Sequence, residues 1–288
     1  MGNIQMANAL SYMAEETRRL DRDRFLCTLF APEELRDGLF TLLAFNAEVA
    51  KSREMVSEAL LGEIRLQWWR DAIERIYAQP DGDFEDHAIV AELAKTVAQY
   101  GLSRAWFDQL IDARSQDVLG EPPKDEAALR EYAFGTAATL NRLMLEIVTS
   151  SEEAQKAAEH VGVAWALTGI LRASSILAKY KRVYMPQTLM LECGFDAPMF
   201  MAQKPSAEIE KAVERICQLA WTEIMAARVL LKGGADKRCR AILLQASLAD
   251  LYLKRIEKLG HNPFDPKIEA GRAGRQLKLT VKAVRGSF

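Results

Sequence analysis

The chain has 288 residues carrying 38 basic and 40 acidic side chains, a formal net charge of -2, so no global field draws it toward nucleic acid or anionic lipid. Apolar residues make up 49% and charged residues 27%, which excludes a disordered chain and supplies a sizeable core. No stretch has the composition of a linker, so one domain over residues 1–288 is expected.

The first residues lack the basic start and unbroken apolar core of a secretory signal, and Met6 stands where a myristoylation motif beginning Met1-Gly2 wants Ser or Thr. Pro32-Glu33-Glu34 predicts a helix start, with proline at the first helical position and acids in the first turn. That helix runs to about Arg53, with Leu35, Leu39, Leu42, Leu43 and Val49 on its apolar face. Ser57 then caps a helix to Tyr77, whose stripe Leu61, Ile64, Trp68, Ala72 and Ile76 is expected in the core. Trp68 and Trp69 are adjacent, so one is expected inside and the other against a groove or a partner. Pro80-Asp81-Gly82-Asp83 reads as a turn. Helices follow over about Asp86–Tyr100 and, after a break at Gly101, from a Ser103 cap to about Asp117.

Gly120-Glu121-Pro122-Pro123 is the clearest loop, and two long helices come next, about Asp125–Thr149 and Ser151–Leu177. The second is nearly uncharged from Val161 to Leu171, which predicts burial on all sides at the centre of the domain. This run is too short for a bilayer, which takes about 20 residues. Pro186–Cys193 reads as a short helix, and Ser206–Leu231 and Lys237–Leu259 as long ones on either side of Gly233-Gly234. From about residue 261 the tail carries Lys267, Arg272, Arg275, Lys278, Lys282 and Arg285 against Asp265 and Glu269. This locally basic segment is read as a solvated helix, with contact to an anionic membrane surface as the sharper alternative. No strand pattern of any length appears, so the fold class is all-α.

The cysteines Cys27, Cys193, Cys217 and Cys239 are far apart and form no Cys-x-x-Cys pair, which fits a reducing, cytoplasmic setting. His87, His160 and His261 are too few for a histidine-rich metal site and read as surface or satisfied core residues. No glycine-rich phosphate loop follows a strand, and no Gly-x-Ser-x-Gly elbow occurs. The aromatic residues fall at helical spacing and suit a core better than base stacking.

The segments TLLAFNAEVA (Thr41–Ala50), RLQWWRDAI (Arg65–Ile73) and LTGILRASSILAKYKRVYMP (Leu167–Pro186) together resemble landmarks of the squalene/phytoene synthase family. Pro32 and Arg36 before them and LADLYLKRIEKLGHNPFD after them extend the likeness over nearly the whole chain. The resemblance implies a single-domain helical isoprenoid synthase fold around a central apolar cavity. In its active members two prenyl diphosphates lie between two acid-rich motifs that hold Mg²⁺, a hard cation that takes carboxylate oxygens. Aligning Ala44-Phe45 with the family's Ala-Phe puts the first motif on Ala50, Lys51, Ser52, Arg53 and Glu54, of which only Glu54 is acidic. The second lies without a gap between Ile170-Leu171-Arg172 and Arg182-Val183-Tyr184-Met185-Pro186. It falls on Ala173, Ser174, Ser175, Ile176 and Leu177, none of them acidic. A register shift of one turn would offer Glu48 or Glu58 instead.

By the same resemblance Asp117 matches an aspartate common in the family, and Arg53, Asp117, Arg172, Lys179, Arg182 and Tyr184 are candidate cavity or diphosphate contacts. Arg172 is expected to point into the cavity or to pair with Asp117 or Glu54, and Tyr184 and Met185 to pack a loop at its mouth. Asn46, Val56-Ser57-Glu58 and Leu171-Arg172-Ala173 are similar to a subgroup that serves mitochondria as an assembly factor for respiratory complex I. This implies a non-catalytic protein with no metal or other cofactor, contacting a complex I subunit or assembly intermediate, or holding a prenyl lipid, with peripheral contact to the inner membrane. The alternative is an active prenyltransferase that condenses two farnesyl or geranylgeranyl diphosphates head to head. That would require Mg²⁺ on Glu54 and Asp117, or Arg53, Arg172, Lys179 and Arg182 in place of metal.

Overall fold

In the computed structural model, which describes residues 10–52, 59–80, 82–148, 151–232, 234–270, 272–284 and 288, every regular element is helical. The expected cap at Ser57, the Val56-Ser57-Glu58 match, Met1-Gly2, Met6, Asp81, Thr149, Gly233 and Arg285 lie outside the described residues. Two short helices precede the first one read from sequence, α1 (Tyr12–Leu20) and α2 (Arg22–Thr28). Ser11 caps α1 by accepting from the Ala14 N–H at 3.3 Å, and Asp21 caps α2 by accepting from the Arg24 N–H at 3.0 Å. Their charged sequence, TRRLDRDR, conceals the narrow face of Met13, Ala14 and Thr17 that is buried.

Pro32 sits just before α3 (Glu33–Ala50), which stops at Lys51 rather than at Arg53. Helix α4 (Ala59–Ala78) departs from expectation: Leu61, Ile64 and Trp68 are exposed, and the buried face is Leu66, Trp69, Ala72, Ile73 and Ile76. Both stripes have helical spacing. The choice falls to the neighbour: Trp69 meets Phe45 of α3 edge-to-face at 5.2 Å, while Trp68 lies against His87 and Trp69 and stays 42% exposed.

Helix α5 (Ala88–Tyr100) begins two residues later than expected, with His87 accepting from the Val90 N–H, and ends at Gly101 in the left-handed conformation (φ 64°). Helix α6 (Arg104–Leu119) starts after Ser103, which does not cap it; the hydroxyl instead donates to Glu146 at 2.6 Å. The single helix expected over Asp125–Thr149 is α7 (Glu126–Ala133) and α8 (Thr139–Val148) joined by a π-helical turn, Phe134–Ala138.

Helix α9 (Glu152–Lys179) is the axis of the fold. Ser151 caps it, accepting from the Ala154 N–H at 3.1 Å, and Glu152 and Glu153 complement its first turn. It contacts α7, the π turn, α8, α12 (Ala207–Leu230) and α13 (Arg240–Lys258). Among the described helices it alone is long and apolar enough to cross a membrane, yet 56% of that apolar window is buried by its neighbours. Burial is not complete on all sides: Ala166, Gly169 and Ile170 are partly open because they face a cavity. The short helices α10 (Gln187–Cys193) and α11 (Ala197–Met201) follow α9. The tail forms α14 (Arg272–Val284), which packs on α13 and buries Arg275, Leu279 and Ala283, so it is not the freely solvated helix expected.

Candidate functional site

Beside α9 lies a cavity of about 230 Å³, bounded by the ends of α3 and α6, by the junction of α7 with the π turn, and by the segment after α9. Ala166, Gly169, Ile170, Ala173 and Leu177 of α9 give it an apolar wall, because positions three and four apart share one helix face. Ala50 reaches it from α3. Thus three positions on which the family's acids would fall, Ala50, Ala173 and Leu177, line one cavity and present only hydrocarbon to it. Ile176 of the same motif is 59% exposed on the outer face of α9. Lys51 turns to Glu48 at 2.6 Å, and Glu48 opens onto a separate surface groove with Ile64, Trp68 and His87, so it does not replace a missing cavity acid. Arg53, Glu54 and Glu58 lie outside the described residues. Among the described residues no three His, Cys, Asp or Glu side chains gather as metal ligands.

The polar side of the cavity is built around Asp117. Its carboxylate is 5% exposed and accepts from the Tyr132 hydroxyl at 2.7 Å, from the Tyr184 hydroxyl, and from the Arg114 guanidinium at 3.1 Å. Arg114 also donates to the Tyr132 oxygen at 3.0 Å. Burial, with Asp117 adding to it, pushes the Tyr132 and Tyr184 hydroxyls well above the usual phenol range. Both stay protonated donors. Burial opposes the charge on Arg114, but Tyr132 and Asp117 outweigh it and hold the guanidinium charged. With three donors upon it, Asp117 is committed to protein partners and is poorly placed to serve a metal.

Arg24 and Arg182 also line the cavity. Arg24 is buried, donates to Gln245 and Asp21 at 3.2 Å each, and lies 5.7 Å over the Trp165 ring. Burial pulls its pKa below the ordinary value, although the Asp21 carboxylate opposes that shift. Arg24 is paired with Asp21 and Arg114 with Asp117, so the cavity's excess of positive charge rests on Arg182, which has no ionic partner among the described residues. The sequence reading missed Arg24, Arg114 and Tyr132. The Arg114/Asp117 spacing of three was a usable signal, whereas Arg24 sits in a helix that was not recognised.

Of the other candidates, Arg182 and Tyr184 are at the cavity, and Met185 is buried beside them. Lys179 is exposed at the end of α9 and does not join them. Arg172 is a correction. It neither enters this cavity nor meets Asp117, but reaches Asp23 at 3.1 Å and Glu269 at 2.7 Å. The register of α9 sets this, since Arg172 and Ala173 are successive and point about 100° apart around the helix.

The squalene/phytoene synthase family model matches residues 17–281. The human protein named NADH dehydrogenase (ubiquinone) complex I, assembly factor 6 is 29% identical over 279 residues, 96% of this chain and 82% of that protein. The presqualene diphosphate synthase of Rhodopseudomonas palustris is 28% identical over 170 residues, 58% of each chain. A dehydrosqualene synthase solved with a ligand superposes with a TM-score of 0.80 at 16% identity, over 95% of this chain and 94% of that one.

Proposed function

The chain belongs to the squalene/phytoene synthase family, and from that premise we propose that it is a non-catalytic member that supports the assembly of respiratory complex I. The observation that carries this reading is the cavity in which Ala50, Ala173 and Leu177 stand where acids would hold Mg²⁺. Diphosphate departure in such a cavity depends on metal that neutralises the leaving group as charge develops. Cations that merely bind the ground state do not replace it. The likeness to complex I assembly factors over 96% of the chain supports the same reading.

The apolar wall and Arg182, the cavity arginine without an ionic partner among the described residues, suit a lipid tail with an anionic head, or an apolar segment of a complex I subunit that ends in a carboxylate. The protein then works from the cytoplasmic side, peripheral to the membrane that houses the complex.

Deletion of the gene tests this, with NADH:ubiquinone activity and complex I subunit levels as readouts. The expected outcome is a loss of assembled complex I that the wild-type gene restores; unchanged levels would sink the reading. Purified protein incubated with Mg²⁺ and farnesyl or geranylgeranyl diphosphate should release no pyrophosphate. Turnover at the rate of an active family member would overturn its non-catalytic character.

A further inference from the structure

Helix α4 has two apolar faces, and the fold buries only one of them. Leu66, Trp69, Ala72, Ile73 and Ile76 are inside, whereas Leu60, Leu61, Ile64 and Trp68 are between 42% and 68% exposed. Positions 60, 64 and 68 are four apart, so they form one ridge of about 12 Å along the helix. Beside the ridge is the surface groove, about 350 Å³, that Ile64, Arg65, Trp68, Trp69 and His87 line together with Glu48. The Trp68 ring lies 5.0 Å from that of His87 and 4.9 Å from that of Trp69, and His87 is fixed in turn by accepting from the Val90 N–H at 3.4 Å. Glu48 is answered within the chain by Lys51 at 2.6 Å and Arg65 at 3.9 Å, which leaves the groove itself close to neutral.

One end of the ridge is acidic. Asp71 follows Trp68 by three residues on the same face, and Glu74 comes one turn later; both are exposed. The loop that leads into His87 adds Asp83, Glu85 and Asp86, also exposed, and Arg75 of α4 holds it by donating to Asp86 at 3.5 Å. Asp71, Glu74, Asp83 and Glu85 have no ionic partner among the described residues. A contiguous apolar ridge beside a groove marks an interaction site rather than a solvated face. We propose that this face docks an amphipathic helix of a partner protein, one whose apolar stripe is followed within a turn by lysines or arginines. The ridge and groove take apolar side chains at i, i+4 and i+7 of the incoming helix, the spacing by which a helix lies in an apolar groove. The carboxylates set its direction, because they attract a basic end. They also repel anionic lipid headgroups, so the occupant is a protein helix and not a membrane. Docking of such a helix needs neither the central cavity nor acids within it, so it stands or falls separately from the assembly function.

The test is fluorescence anisotropy of a labelled synthetic helical peptide of about 18 residues, with leucines at i, i+4 and i+7 and lysines in the following turn. Two control peptides carry the same composition scrambled, or glutamates in place of the lysines. Wild type should bind the basic peptide saturably, and both controls about tenfold or more weakly. Ile64→Ser and Trp68→Ser should each lower affinity for the basic peptide about tenfold while leaving the melting temperature nearly unchanged. Asp71→Lys with Glu85→Lys should reverse the preference between the lysine and glutamate peptides. If Trp68→Ser does not fold, Ile64→Ser and Leu60→Ser, which alter exposed side chains, decide the matter. No saturable binding overturns the proposal, as does equal binding of all three peptides or binding indifferent to the ridge variants. It is overturned equally if sedimentation shows a dimer of this chain that Ile64→Ser dissociates. Binding to phosphatidylcholine/phosphatidylglycerol vesicles that Ile64→Ser abolishes would overturn it too.

Discussion

Glu223 on α12 shows what a single acid contributes to this fold. It accepts from Arg130 of α7 at 2.6 Å and contacts His160 of α9 at 2.5 Å, so three helices meet at one carboxylate. Burial disfavours its charge, but the bonds from His160 and Arg130 prevail and hold its pKa below the ordinary 4.5. A carboxyl with a depressed folded-state pKa adds stability above its unfolded pKa and loses it as the pH falls through the folded value. Glu223→Gln is therefore expected to cost about 2 kcal/mol at pH 7. The difference from wild type should shrink below about pH 4; urea unfolding of both proteins across pH 3 to 7 measures it. A penalty that stays constant with pH would mean the contribution is packing rather than charge. None of these partners was legible beforehand, because the residues are 30 to 93 positions apart and nothing local marks them.

At the scale of an element, α9 carries two glycines whose roles only the packing distinguishes. A Cβ on Gly162 would lie 2.4 Å from the Ala138 Cα and 2.6 Å from its nitrogen, in the π turn, and backbone cannot step aside. A Cβ on Gly169, at the cavity wall, would meet nothing within 4 Å. Gly162→Ala is expected to destabilise by about 3 kcal/mol or more. Gly169→Ala should stabilise by roughly 0.5–1 kcal/mol, through the lower backbone entropy of alanine in a helix. Thermal melting of the two variants gives opposite shifts if the π turn packs as described, and equal shifts if it does not. The extent of α9, read as Ser151–Leu177, and most of its burial were legible, the latter from its uncharged run, whereas the open face at Ala166, Gly169 and Ile170 was not. The inward face of α4 did not follow, since Leu61-Ile64-Trp68 and Leu66-Trp69-Ile73 satisfy the same period and only the position of Phe45 selects the second.

For the molecule as a whole, the cavity's chemistry should be convertible by charge alone. Wild type is expected to show no change in melting temperature with millimolar Mg²⁺ or a chelator. Ala50→Asp, Ala173→Asp and Leu177→Asp together should confer a Mg²⁺-dependent rise, amounting to about 2.7 kcal/mol when Mg²⁺ is 100 times its Kd. A wild type stabilised by Mg²⁺, or a folded triple variant indifferent to it, would contradict the placement of these positions around one site. The sequence by itself determined the helical class, most helix boundaries and the family likeness, because each rests on local periodicity, capping or motif spacing. Tertiary structure alone decided that Ala50, Ala173 and Leu177 share one wall, that Asp117 is bound up with Tyr132, Tyr184 and Arg114, and that Arg172 and the tail's Arg275 close on Asp23. Those pairings join residues up to 252 positions apart. An ion pair across such a separation is set by how whole helices pack, and a linear pattern carries no record of it.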